Sequence, residues 1–220
     1  MTSTPSTPPN GHPPVAPSAH HVTGAYQDLV YHENGPVVRL TLNRPQVRNA
    51  LSMRLSDELI HALERVRDSS AAKVVVLRGA GGTFCAGDDI TEMREWGTAE
   101  AVMRRSHGYQ HMANVLEELD KISIAAVDGH AVGGGLEITM ACDFVVAAAS
   151  ARWGMPEVDV GITPGWGGTT RMTRLIGRPK RSTCSVPCTP PTERPTWGCG
   201  IASSPPIGST PRWTSWSPSC

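Results

Sequence analysis

The chain has 220 residues, and its 20 lysine and arginine residues are balanced by 20 aspartate and glutamate residues. This length supports one domain with a sizeable core, and the neutral balance removes the electrostatic argument for a nucleic-acid or anionic-membrane partner. No apolar run reaches the roughly 18 residues of a membrane span, and residues 1–21 hold no lysine, no arginine and no apolar signal core. We therefore expect a cytoplasmic protein whose six cysteines are thiols.

Proline usage divides the chain into three segments. Six of the 19 prolines lie in residues 1–20 and eight in residues 181–220, so five remain for the long middle segment. Residues 1–24 have almost nothing to bury, and we predict a disordered Pro/Ser/Thr-rich extension there. Residues 25–180 have the pattern of a globular α/β core. The tail, residues 181–220, shows no helical or strand periodicity.

The tail has an unusual composition. It combines eight prolines and 14 serines or threonines with four cysteines, three tryptophans and one acidic residue, Glu193. Such numbers of tryptophan and cysteine are unusual for disorder, and the spacing of Cys184, Cys188, Cys199 and Cys220 fits no paired zinc motif. GC-rich codons read out of frame give this composition. Our hypothesis is that the reading frame slips near codon 180.

Hydrophobic periodicity predicts alternating strands and helices in the core. Strands are predicted at residues 37–42, 73–77, 122–127 and 144–148, and helices at about 51–66 and 98–119. Ser52 is the predicted N-cap of the first helix. The short apolar runs at 122 and 144 suit strands that are covered on both faces. This alternation predicts an α/β layered fold.

Three glycine-rich segments follow predicted strands, at residues 82–90, 128–137 and 153–168. In the second, Gly133, Gly134 and Gly135 lead into a helix, where unpaired backbone N–H groups suit a developing oxyanion. Glu137 lies one helical turn further on, and Glu157 follows 20 residues later. Taken singly, a glycine run marks a turn and each glutamate is an ordinary helix or loop carboxylate. Together, two carboxylates and an N–H cradle suit proton transfer next to an activated carbonyl.

Five motifs stand in the order and spacing of one known family: Asn43-Arg-Pro-x-x-x-Asn-Ala-Leu51, Phe84-Cys-Ala-Gly-Asp-Asp-Ile90, Ala125 to Glu137, Ala141-Cys-Asp143 and Trp153-Gly-Met-Pro-Glu157. From about residue 30 to residue 179 the chain resembles the enoyl-CoA hydratase/isomerase, or crotonase, superfamily. The resemblance implies a right-handed superhelix of repeated ββα turns, followed by helices used in trimer assembly. The tail matches none of those helices, so this C-terminal helical region is expected to be missing or altered.

The resemblance also implies an enzyme of fatty-acid or acyl-CoA metabolism that adds water across the C2–C3 double bond of a 2-enoyl-CoA. The thioester oxygen would lie between the backbone N–H groups of Asp88 and Gly134. Glu137 would deprotonate the water, and Glu157 would deliver a proton to C2. The match further implies substrate-binding roles for Arg48, Ala50, Ala86, Gly87, Asp89, Ile90, Gly133 and Pro156. No metal or redox cofactor is expected, because coenzyme A is part of the acyl-CoA substrate.

The resemblance, the charge balance and the composition break at residue 180 together bear on partners and alternatives. A homotrimer or dimer of trimers is implied, with no nucleic-acid or membrane partner. A double-bond isomerase on the same scaffold stays open, as does an inactive remnant whose tail prevents assembly. Two residues depart from the family pattern. Asp88 stands where a small residue is common, so its carboxylate should be paired or turned to solvent, and Trp166 is bulky near the expected acyl path.

Overall fold

Strands and helices alternate along the computed structural model, which describes residues 25–94, 97–177 and 202–204. The strands are β1 (Leu29–Asn34), β2 (Val37–Leu42), β3 (Val74–Gly79), β4 (Ile122–Val127), β5 (His130–Val132), β6 (Phe144–Ala148), β7 (Arg152–Gly154) and β8 (Ala202–Ser204). The helices are α1 (Met53–Asp68), α2 (Ile90–Met93), α3 (Ala99–Glu117), α4 (Gly134–Ala141) and α5 (Gly168–Ile176), and short 3-10 turns lie at Pro45–Val47 and Pro156–Val160.

The larger sheet grows in chain order, as β1-β2-β3-β4-β6-β8. β1 and β2 form an antiparallel hairpin, and every later pair of neighbours is parallel. Parallel neighbours need a crossover connection, and at least one helix lies in each of these crossovers. The predicted strand–helix alternation is therefore confirmed.

A second, narrower layer is formed by the segments that link each strand to its helix. β5 pairs with β7 in parallel, and isolated bridges join Leu51 to Asp88 and Cys85 to Ala131. Each turn of the chain thus places a strand in the larger sheet, a short extended segment in this second layer and then a helix. Four such turns repeat, which confirms the predicted superhelix of ββα units. The segments of the second layer end where helices begin, and the candidate site is built there.

Helix α1 shows why the sequence folds in this way. Leu55, Leu59 and Leu63 recur every four residues, and all three are fully buried against the first strands and α3. Replacing one such leucine by alanine costs about 2–5 kcal/mol. Ser52 caps the helix as predicted, because its Oγ accepts a 3.1 Å hydrogen bond from the Leu55 N–H.

The structure places one strand in the tail. Its sequence shows no strand periodicity, yet β8 lies within it and pairs in parallel with β6, with Ala202 opposite Val146. The physical reason is that β6 offers an edge of backbone N–H and C=O groups, and pairing with such an edge needs no side-chain pattern. The predicted disorder of residues 1–24, the cysteines of the zinc alternative and the frame-slip hypothesis concern residues outside the described ranges. Within those ranges no helix has the length and apolar character needed to cross a membrane.

Candidate active site

Asp88 lies on an extended segment that is hydrogen-bonded to Leu51. Leu51 donates its N–H to the Gly87 carbonyl at 2.8 Å, and its own carbonyl accepts from the Asp89 N–H at 3.0 Å. Successive residues of an extended chain point their backbone groups to opposite sides. The N–H of Asp88 therefore points away from Leu51, towards the side on which β5 runs.

The glycine turn after β5 meets the Asp88 segment on that side. Gly87 has a φ of +91°, and a Cβ there would lie 3.0 Å from the Val132 carbonyl and 3.5 Å from the Gly134 nitrogen. Only glycine allows this approach. Gly134 begins α4, so its N–H has no acceptor within the helix. The N–H groups of Asp88 and Gly134 thus lie where the two segments meet.

Glu137 is buried on the first turn of α4, with 1 % of its surface exposed. Its Oε1 accepts hydrogen bonds from the backbone N–H groups of Trp166 at 2.9 Å and Gly168 at 2.7 Å. A Cβ on Gly168 would lie 2.5 Å from that oxygen, so the carboxyl group fits only against glycine. Burial raises the pKa of Glu137 to about 7, although the two N–H donors act in the opposite direction.

Glu157 reaches the same place from the 3-10 turn that follows β7. Its side chain is buried, and among the described residues no group forms a hydrogen bond with its Oε2. Its Oε1 would lie 3.1 Å from a Cβ on Gly133, so the carboxyl group packs against the glycine turn. Burial raises the pKa of Glu157. Glu137 therefore lies on the helix that begins at Gly134, and Glu157 packs against the glycine turn that precedes this helix.

The side chain of Asp88 adds a third carboxyl group to the site. Its Oδ2 accepts a 3.4 Å hydrogen bond from the Trp166 Nε1. Its Oδ1 is buried, has no hydrogen-bond partner in the described part of the chain, and would lie 3.1 Å from a Cβ on Gly134. Burial raises the pKa of Asp88 to about 7; the charge of Glu157 adds to this, while the indole bond opposes it.

Trp166 forms a wall of the site. The indole is 1 % exposed and stacks on Tyr109, with ring centroids 4.1 Å apart and planes 13° from parallel. Its ring atoms would lie 3.0 and 3.2 Å from a Cβ on Gly134. The Arg171 Nη1 donates to the Trp166 carbonyl at 2.8 Å, and the Arg171 Nη2 pairs with Glu117 at 2.6 Å. Contacts with both its ring and its backbone carbonyl therefore fix the position of Trp166.

Only some of the remaining predicted binding residues lie at the site. Gly133, Gly87 and Ala86 belong to the two segments that meet at the site, and Ala50 is buried next to them. The side chain of Asp89 is engaged elsewhere, in a 2.9 Å ion pair with Arg44 and in capping α2. The other three predicted binding residues lie on the surface: Arg48, Ile90 and Pro156.

Asn49 is a structural residue to which the sequence analysis assigned no role. It is fully buried in a left-handed conformation with a φ of +56°. Its side chain accepts a hydrogen bond from the Arg44 N–H and donates to the carbonyls of Ala80 and Thr83. This clamp joins the loop before α1 to the turn after β3. Its signal in the sequence is that asparagine tolerates a left-handed backbone better than most residues do.

The fold and the site define a ββα superhelix with acidic side chains gathered around two backbone donors. The sequence profile described as "Enoyl-CoA hydratase/isomerase" matches residues 32–191, and the chain belongs to this family. The short-chain-enoyl-CoA hydratase of Clostridium acetobutylicum is 42% identical over 153 residues, which cover 68% of this chain and 58% of that protein. The enoyl-CoA isomerase/hydratase fer4 of Mycosarcoma maydis is 41% identical over 150 residues, or 64% of this chain and 54% of that protein.

A solved structure gives the same assignment. The crystal structure of an enoyl-CoA hydratase from Bacillus anthracis matches with a TM-score of 0.68 and 38% sequence identity, covering 72% of this chain and 62% of that one. The chain thus spans between one half and two thirds of the length of these proteins. The profile match ends at residue 191, twelve residues beyond the limit of the resemblance seen in the motifs.

Proposed function

We propose that this chain adds water across the C2–C3 double bond of a 2-enoyl-CoA thioester. The observation that carries the proposal is the gathering of Glu137 and Glu157 around the N–H groups of Asp88 and Gly134. Names of relatives support it, because a protein 42% identical to this chain is a short-chain-enoyl-CoA hydratase.

The two N–H groups would bind the thioester oxygen. As water adds to C3, the electrons of the double bond move towards that oxygen, which becomes an enolate. Fixed donors stabilise this charge without having to reorganise, and one such donor is worth about 3–4 kcal/mol in the transition state. Both donors are backbone groups, so their position is set by Gly87 and by the start of α4.

The two glutamates differ in a way that assigns their roles. Glu137 accepts two backbone hydrogen bonds, which favour its charged form, so it acts as the base. Glu157 has a buried oxygen without a partner among the described residues, which favours the protonated form, so it acts as the acid. Glu137 takes a proton from water while the water oxygen bonds to C3, and Glu157 gives its proton to C2. The product is a 3-hydroxyacyl-CoA, and a proton returns from Glu137 to Glu157 through solvent.

A double-bond isomerase is the second candidate, because the relative from Mycosarcoma maydis carries both activities in its name. Isomerisation moves a proton between C2 and C4 and adds no water, so it needs only one of the two carboxyl groups. The site has one carboxyl group whose surroundings favour the charged form and one whose surroundings favour the protonated form, and this combination favours hydration.

The test is to incubate the full-length chain with crotonyl-CoA, longer 2-enoyl-CoAs and a 3-enoyl-CoA, and to follow the products by mass spectrometry. Hydration adds the mass of one water to a 2-enoyl-CoA. Isomerisation converts the 3-enoyl-CoA without a change in mass. Failure to convert any of these substrates would overturn both candidates and favour an inactive remnant.

A further inference from the structure

We propose that the Asp88 side chain is a third hydrogen-bond donor to the thioester oxygen, through a proton that it carries on Oδ1. The inference rests on the proposed function, because it requires that oxygen to lie between the N–H groups of Asp88 and Gly134. It assigns a catalytic role to the Asp88 side chain, whereas the resemblance implied a role only for the Asp88 backbone N–H.

The position of the two carboxyl oxygens supports this role. The Asp88 Oδ2 already accepts the hydrogen bond from the Trp166 Nε1, so a proton on this carboxyl group belongs on Oδ1. Oδ1 is buried next to Gly134 and has no partner among the described residues. A buried polar atom without a partner is costly and rare, so its presence in a site points to a group on a ligand.

The chemistry of that ligand group decides whether Asp88 donates a hydrogen bond to it or accepts one from it. A thioester oxygen can only accept hydrogen bonds, and it gains negative charge as water adds. An ionised Asp88 would repel this charge, whereas a protonated Asp88 would donate to it. A carboxylic acid held neutral by an apolar site is a known means of stabilising an enolate.

The burial of Asp88 favours its neutral form. The titratable groups that surround it are Glu157 on the turn after β7, Glu137 on α4 and the uncharged phenol of Tyr109 on α3. Burial raises the pKa of Asp88 to about 7. A substantial fraction of Asp88 is therefore protonated at neutral pH.

The nearby arginines have carboxylate partners of their own. Arg44 pairs with Asp89, the neighbour of Asp88 in sequence, at 2.9 Å. Arg105 lies on α3 together with Tyr109, and its guanidinium is 3.7 Å from the carboxylate of Glu92 on α2.

Two variants separate the side chain from the backbone. In Asp88→Asn, the amide oxygen accepts from the Trp166 Nε1, which places the NH2 group at the position of Oδ1 as a permanent donor. In Asp88→Ala, the donor is lost and the backbone N–H stays. With crotonyl-CoA at about pH 6, we expect Asp88→Ala to lose about 10- to 100-fold in kcat and Asp88→Asn to stay within about threefold of wild type.

The pH profile provides a second readout. As pH rises from about 6 to 9, wild-type kcat should fall while Asp88 ionises, and in Asp88→Asn this contribution to the fall should be absent. Asp120→Asn, which alters an exposed carboxyl group, is the matched control and should follow wild type. Wild-type activity of a folded Asp88→Ala, or an unchanged alkaline limb in Asp88→Asn, would overturn the proposal.

A binding measurement separates this inference from the proposed function. Butyryl-CoA presents a thioester oxygen, has no double bond to hydrate and has an acyl group that does not ionise in this pH range, and its affinity can be measured by calorimetry. Wild-type affinity should weaken about tenfold or more from about pH 6 to 9, and that of Asp88→Asn should stay nearly constant. If wild type hydrates no 2-enoyl-CoA but shows this difference, only the proposed function fails. If the two binding curves run parallel, or wild type does not bind, the Asp88 proposal fails.

Discussion

Glu137 and Gly168 lie 31 residues apart in sequence, yet the Oε1 of the first accepts a 2.7 Å hydrogen bond from the N–H of the second. This bond joins α4 to the first residue of α5, where backbone N–H groups have no acceptor inside the helix. A carboxylate is favoured at this position by the helix dipole. The candidate base is thus fixed by the same contact that caps the neighbouring helix.

Glu137→Gln should lower hydration of crotonyl-CoA by about 10²–10⁴-fold, because the amide cannot take a proton from water. The amide oxygen can still accept both backbone hydrogen bonds, so fold and thioester binding should be retained. Steady-state kinetics and calorimetry with acetoacetyl-CoA measure the two effects separately. Turnover close to wild type would remove Glu137 from the role of base.

Glu157→Gln should also lower hydration by about 10²–10⁴-fold, and it has a more specific signature. Since Glu157 is proposed to deliver the proton to C2, the variant should lose exchange of the C2 hydrogen of a saturated acyl-CoA in D2O. Nuclear magnetic resonance follows this exchange directly. Unimpaired exchange in a variant that no longer hydrates would place the acid elsewhere.

Stability should depend on pH through Glu137. Its pKa is raised from 4.5 to about 7 in the folded chain, so the folded state holds a proton that the unfolded state has lost. This contribution is fully present below pH 4.5 and is lost as pH rises through about 7. The loss is of the order of 3 kcal/mol. In urea unfolding, the free energy of unfolding of Glu137→Gln should therefore rise relative to that of wild type as pH increases through this interval. A difference between the two proteins that does not change with pH would contradict the prediction.

Gly134→Val should damage turnover through crowding. Added carbon atoms would lie against the Trp166 ring and the Asp88 Oδ1, at distances that begin at 3.0 and 3.1 Å for Cβ alone. We expect kcat to fall by about 10²-fold or more, because the N–H donor and the indole are displaced together. Gly108→Ala is the matched control, since no atom lies within 4 Å of its Cβ, and it should leave kcat unchanged. Full activity of a folded Gly134→Val would remove Gly134 from the site.

The tail should contribute little to stability. Its described part is the three-residue strand β8, so a chain ending at residue 180 should melt within a few degrees of the full-length chain. Adding the helical C-terminal region of a longer relative to that shortened chain should raise solubility and yield trimers in sedimentation. If the deletion instead unfolds a stable trimer, the tail is genuine structure and the frame-slip hypothesis fails. Sequencing the gene tests that hypothesis directly.

The parts of the structure that depend on local pattern were predictable from sequence. The strand at 37–42 and the helix that follows Ser52 lie within two residues of their predicted positions, because apolar periodicity and capping are local signals. The glycines at 133–135 likewise indicated a backbone donor at a helix start. The bond between Asp88 and Trp166 was not predictable, since these residues are 78 positions apart and meet only through the stacking of turns. β8 was not predicted because its sequence shows no strand periodicity.

The chain-order growth of the larger sheet has a consequence for how activity is lost. Each strand of the larger sheet pairs only with its neighbours, so strand pairing joins the fourth turn to the third alone, whereas Trp166 and α5 also contact α3 of the second turn. The ladders shorten along the sheet, from six paired residues between β2 and β3 to four between β4 and β6. The fourth turn, which carries Glu157 and Trp166, is therefore joined to the preceding turn by the shortest of these three ladders. Partial opening at that end would remove the acid and the indole wall while the first three turns stay folded, so catalysis is lost at a lower denaturant concentration than the fold.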